Sequence, residues 1–458
     1  MHDLFTKIRL YSRLRKQRGA ALMVMLVIII IGSAAFLVSA LSRAGLQIER
    51  NRITADALAQ AKEALISYST SLKLTSSGSA RPGDLPCPDN HPLGDIYVGT
   101  PSAPCSGNAI GRLPWKSLGL PDLRDSNNER LWYAVSANFK NNPRSILLNS
   151  DTTGTITVRD SSGNIINNGC TTGGPTCPAP SASDAPFGTG AVAIIMAPGN
   201  VLERQGGYQQ DRSSAGYNTP SNYLDIVASV EDNANFGDST SNGFIQGNVK
   251  DITGKIILND QITSITQDNI MQSIQKRVAG EVKNCLEDYA SLNNGRYPWA
   301  VPLTDLSTYK DQSILLFGRI PDDMTNTQND SGGVMTMQWG GNCNTHSNNM
   351  PSSWWKQWRE LVFYGLADAY KPVNPPNIPA ANSCTVGTCL SVNPPSAAVN
   401  KKYVVIVAGK MLATQNNRPT NKTTLSNYLE PPNNSSGTTT FSQGTLSTTF
   451  NDTVVYQQ

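Results

Sequence analysis

Six short segments recur in the same order in the two halves of the chain, and a duplication must be settled before any fold is assigned. KEALISYS at 62–69 returns as KNCLEDYA at 283–290, and GRLP at 111–114 as GRIP at 318–321. RLWYAV at 130–135 has its counterpart in ELVFYGL at 360–366, and AVAIIMAPG at 191–199 in YVVIVAGK at 403–410. SNYLD at 221–225 reappears as SNYLE at 426–430, with an Asn-containing loop after each copy. FIQG and ND at 244–247 and 259–260 are echoed by FSQG and ND at 441–444 and 451–452. The order divides the chain into two related units, 46–262 and 263–458.

Each unit starts with a helical pattern, crosses a Gly/Pro-rich loop and an aromatic segment, and then reaches apolar strands. AVAIIMA and YVVIVA are continuous β-branched-rich runs, the pattern of strands buried on both faces. KIILND and DTVVYQ read as half-buried strands. The expected class is α+β, with a helix packed on an antiparallel sheet in each unit.

Eight cysteines, Cys87, Cys105, Cys170, Cys177, Cys285, Cys343, Cys384 and Cys389, lie in loop-bound local pairs. An even number without CxxC pairs or His partners reads as disulfides in an oxidising compartment, in preference to zinc. Equivalence of position within the repeat suggests Cys87–Cys105, Cys170–Cys177, Cys285–Cys343 and Cys384–Cys389, although spacing by itself does not determine connectivity. Only 16% of residues are charged, while Asn, Ser, Thr and Gly fill the loops, which again suits an exported protein.

The net charge of +3 is unevenly placed. Residues 1–19 carry Lys7, Arg9, Arg13, Arg15, Lys16 and Arg18 against Asp3, so the remainder is slightly acidic. No broad basic surface for nucleic acid is indicated. Residues 20–41 (AALMVMLVIIIIGSAAFLVSAL) are uncharged, roughly 33 Å of helix at 1.5 Å per residue, enough to cross a bilayer. The preceding cations place the N-terminus in the cytoplasm and the C-terminal region in the periplasm. No proline interrupts 20–80, so the helix is expected to continue through Leu46, Ile53, Ala57, Leu58, Ala61, Leu65 and Tyr68 as an amphipathic one.

A basic leader ending in Gly19, directly before such a helix, resembles the type IV prepilin and pseudopilin family. The resemblance covers about the first 70 residues and is carried by RLRKQR, Gly19 and the apolar run. It implies a cleavable leader (1–19) cut after Gly19 by a prepilin peptidase, a methylated mature N-terminus at Ala20, and a transmembrane helix over 20–45. It further implies two tandem pilin-like heads, and as partners other pilins or pseudopilins and the inner-membrane assembly platform. The family usually has Glu at the fifth mature position, where this chain has Val24. A buried carboxylate is costly unless paired, so a subunit with nothing stacked above it can dispense with it. Val24 and the large exported part therefore point to a minor or tip subunit of a pilus or secretion pseudopilus, placed in the bacterial inner membrane and, after assembly, at the cell surface.

Little in the sequence suggests catalysis. His91 and His346 lie in loops without a recognised nucleophile setting, and no GxxxxGK[ST] loop occurs. Asp122, Asp125 and Glu129 in PDLRDSNNE are the calcium candidates, with turn formation and capping the competing reading. Trp299, Trp339, Trp354, Trp355 and Trp358 concentrate in the second unit. Exposed, they would suit an adhesin or an anchored periplasmic binding protein with a ligand site in that unit; the spacing of Trp354 and Trp358 favours a core face. The expected function is non-enzymatic: assembly priming, capping or contact.

Overall fold

The computed structural model describes residues 18–71, 81–105, 109–145, 147–169, 189–203, 209–227, 231–234, 243–322, 324, 339, 354–373, 384–415, 418 and 420–458. The chain divides at Ala55 into two compact units. The first is the N-terminal part of helix α1 (Arg18–Ser71), which no proline interrupts. On its surface Arg52 pairs with Glu49 one turn away at 2.6 Å.

The membrane expectation does not hold. Among the described residues no helix is long and apolar enough to cross a membrane. This overturns the transmembrane segment over 20–45 and, with it, the single-pass inner-membrane placement. Residues 1–17 of the expected leader lie outside the described residues.

The second unit (Asp56–Gln458) is rich in small sheets. One four-stranded antiparallel sheet runs β1 (Ala109–Arg112), β2 (Trp132–Val135), β5 (Ala191–Ala197), β11 (Gln261–Thr266). Another runs β12 (Phe317–Arg319), β13 (Val362–Leu366), β16 (Tyr403–Val407), β18 (Thr453–Gln457). A three-stranded sheet orders β4 (Ile165–Asn167), β3 (Thr157–Asp160) and β8 (Gly243–Gln246), with β3 parallel to β8. Its counterpart orders β15 (Ser396–Lys401), β14 (Leu390–Asn393) and β17 (Thr440–Ser442), with β14 parallel to β17. Two ribbons, β6 (Ile226–Val227) with β7 (Glu231–Asp232) and β9 (Val249–Lys250) with β10 (Ile256–Leu258), occur in the first copy. Helix α2 (Gln267–Leu292) follows β11 without a loop, and Asn269 Oδ1 accepts the Thr266 N–H at 3.0 Å to start it. The short α3 (Trp355–Trp358) precedes β13.

Two tandem heads, each a helix on one antiparallel sheet, are therefore not what forms. The long polar loops carry short strands that pair into separate small sheets, two of them with a parallel pairing. The physical cause is visible in β2 and β5. Tyr133, Val135, Ala193 and Ile195 pack into one cluster with α2, while Trp132, Ala134, Ile194 and Met196 pack into another with Ile156, Val158, Tyr223 and Phe244. Side chains alternate across a strand, so a strand apolar at every position needs cover on both faces.

Nor are the copies separate. A single cluster takes Leu58, Ala61, Leu65, Leu85 and Leu148 from the first copy together with Ile274, Val278, Trp355, Val405 and Leu429 from the second. Polar groups cross as well: Ser150 Oγ donates to the Ala408 carbonyl at 2.8 Å, and Asn149 Nδ2 to the Gln357 carbonyl at 2.9 Å.

Candidate functional site

The first unit presents an apolar surface that no described residue covers. Leu22, Met23, Val24, Met25, Leu26, Val27, Ile28, Ile29, Ile30 and Ile31 are each 51% to 73% exposed. Ten consecutive apolar residues put apolar side chains on every side of the helix, a pattern ordinarily found in a buried helix. Leu46, Ile48 and Ile53 continue the exposure, whereas Ala57, Leu58, Ala61 and Leu65 are buried within the second unit. The expected amphipathic face thus begins only at Ala57. Gly19 and Ala20 lie in the backbone of α1; Val24 stands 59% exposed.

Among the described residues two disulfides are formed, Cys87–Cys105 and Cys384–Cys389, each closing a local loop. Cys285 on α2 is also disulfide-bonded. Cys170, Cys177 and Cys343 lie outside the described residues. A closed loop lowers the entropy of the unfolded chain, by roughly 3 kcal/mol for about 15 residues.

The calcium candidates are otherwise engaged. Asp122 takes hydrogen bonds from Arg130 Nε at 2.9 Å and Arg124 Nη2 at 2.7 Å. Burial pushes its carboxyl upward, but the bonds from Arg130 and Arg124 outweigh that and hold it below the ordinary carboxylate range. Asp125 Oδ1 accepts the N–H groups of Asn127 at 2.8 Å and Glu129 at 2.9 Å, and Oδ2 accepts that of Gly199 at 3.0 Å. Glu129 pairs with Arg212 at 3.4 Å. These three carboxylates do not converge on one point as a ligand set; they fix a turn to the end of β5. Among the described residues no group of three or more His, Cys, Asp or Glu is placed to hold a metal ion.

His91 has a neighbour that the linear reading missed. Both Asp89 Oδ1, at 2.8 Å, and Ser102 Oγ, at 3.2 Å, sit against its Nδ1. A nucleophile relay needs the acid on one ring nitrogen and the hydroxyl on the other. With both on one nitrogen, the trio closes a loop and does not activate Ser102. His346 lies outside the described residues. All five tryptophans of the second copy are at most 2% exposed and sit in the shared core, so they offer no aromatic surface for a sugar or partner.

No protein-family model matches the chain, and neither a curated protein nor a solved structure does.

Proposed function

We propose that the chain is a non-enzymatic minor subunit of a pilus-type or pseudopilus-type fibre, acting in assembly priming, capping or contact. The observation that carries this reading is the uncovered run 22–31 of α1. A helix apolar all round requires apolar neighbours all round, and the matching α1 helices of adjoining subunits supply them. A groove on a globular partner would cover one side only. The resemblance of the basic leader, Gly19 and the following apolar run to prepilins supports the same reading. Val24 leaves the run without a carboxylate to pair with a neighbour's N-terminal amine, which suits a subunit at an end of the fibre. The proposed partners are a prepilin peptidase, other pilins or pseudopilins, and the assembly platform.

The test is intact mass and N-terminal sequencing of the purified protein from cells with and without a prepilin peptidase. The expected result is a mature chain beginning at methylated Ala20, only where the peptidase is present. An intact leader in both strains would discard the reading. A second prediction concerns Ile28→Glu. It should lower recovery of the protein in sheared fibres by at least about tenfold, because a carboxylate would enter an apolar bundle unpaired. The melting temperature of the second unit should not move, since Ile28 is exposed.

A further inference from the structure

Each copy contains the same buried polar network, built on the recurring SNYL and ND segments. In the first copy Asp225 accepts on both oxygens: Oδ1 from Gln210 Nε2 at 2.9 Å and Oδ2 from the Asn259 N–H at 2.8 Å. Asp260 accepts on Oδ2 only, from the Asp225 N–H at 2.8 Å and Asn233 Nδ2 at 3.1 Å. Its Oδ1 is buried with no donor.

The second copy repeats the arrangement with Glu430 in the place of Asp225. Glu430 accepts on Oε1 from Gln415 Nε2 at 2.8 Å and on Oε2 from the N–H groups of Asn451 at 3.0 Å and Asp452 at 3.2 Å. Asp452 Oδ2 takes the Glu430 N–H at 3.3 Å and Asn433 Nδ2 at 3.1 Å, and its Oδ1 is again buried without a donor.

An arginine fixes the orientation of each glutamine. Arg212 Nη2 donates to Gln210 Oε1 at 2.8 Å and Nη1 to the Gly199 carbonyl at 2.8 Å. Arg418 does the same to Gln415 Oε1 at 2.7 Å and the Gly409 carbonyl at 2.9 Å. With its oxygen occupied, each glutamine must turn its NH2 toward the carboxylate, so Asp225 and Glu430 each accept on both oxygens and are the ionised members of the two pairs.

The same aspartate oxygen is orphaned in both copies. It is an orphan only as an acceptor; as the O–H of a carboxylic acid it is a donor. We infer that each copy stores one proton on the Oδ1 of its ND aspartate, Asp260 or Asp452. The un-ionised carboxyl lets the start of the closing strand, β11 or β18, lie against the ionised residue after SNYL without like-charge repulsion, and makes the fold sensitive to alkali. The proton comes from and returns to water.

The surrounding charges do not replace it. Arg212 is shared with Glu129 at 3.4 Å, with Asp125 close by on the Gly199 N–H. Arg418 is paired with Asp151 at 2.6 Å. Lys276 of α2 lines the groove beside Asp452–Val455. Burial, and then the like charge of Asp225 or Glu430, push both aspartates well above the ordinary range, and Asp452 lies within hydrogen-bonding reach of Glu430. A group raised in the fold contributes stability that is full below its unfolded value, near pH 4, and is lost as pH climbs through the folded value.

Thermal unfolding of the full chain from about pH 4 to 9 tests this, using Asp260→Asn, Asp452→Asn and the double variant. Asparagine places an N–H where the acid placed its O–H. The wild type should melt lower as pH rises, each single variant should lose about half of that fall, and the double variant should be nearly flat. Parallel curves shifted downward would overturn the inference. So would calcium raising the melting temperature of the wild type but not of the variants, which would put a cation where the proton is assigned. Infrared spectroscopy of the wild type at neutral pH gives a readout that does not depend on variant folding: an un-ionised carboxyl band is expected, and none would overturn the assignment.

Discussion

Replacing Asp84 with alanine is expected to destabilise the second unit by about 3–5 kcal/mol, measured by chemical denaturation. Asp84 is fully buried and receives Arg81 Nε at 2.6 Å and Arg144 Nε at 2.7 Å. Arg81, itself 2% exposed, also donates to the Ser145 carbonyl at 2.8 Å and to Gln357 Oε1 at 3.1 Å, the latter in the other copy. Those neutral acceptors remain in the variant, but the counter-charge does not. The cost arises from leaving a guanidinium in a site that water does not reach, more than from any large net value of the pair. A loss below about 1 kcal/mol would mean that water or a shifted chain reaches Arg81.

The two copies are expected not to fold apart. A fragment of residues 263–458 should lack a cooperative transition, and co-expression with the preceding residues should restore it. The reason is the division of the core: α2, Trp355 and Val405 pack with Leu65, Leu85 and Leu148. Removing the first copy exposes these side chains, each worth about 1.5–3 kcal/mol of burial. The fragment would also strand Gln357, whose Oε1 takes the Leu148 N–H at 2.7 Å, and Arg418, whose counter-ion Asp151 belongs to the first copy. A sharp two-state melt of the fragment would contradict the shared core.

Parts of this arrangement were open to a reading of the chain. The apolar runs 191–197 and 403–407 lie on equivalent strands because a strand buried on both faces has a composition no loop tolerates. Local disulfides such as Cys384–Cys389 were legible from proximity. Other features left no linear trace. Gln210 and Arg212 are two residues apart while Gln415 and Arg418 are three apart, so the arginine–glutamine clamp does not align as a motif. Ser102 reaches His91 across a folded loop. The small sheets with parallel pairings escaped because β3, β4, β14 and β17 are three or four residues long and embedded in polar loops. The single core escaped for a different reason: periodicity tells which face of an element is apolar, not whose face covers it.

Strand β11 ends at Thr266 and α2 begins at Gln267. The junction of β11 and α2 therefore contains no slack. Two modules on a tether can be aimed independently and can search for a ligand separately. Here a twist applied to the closing strand of the first sheet passes straight into the axis of α2 and so to the second sheet. An insertion at this point would break the continuity of strand and helix, yet the shared core and the hydrogen bonds of Ser150 and Asn149 would still hold the two copies together.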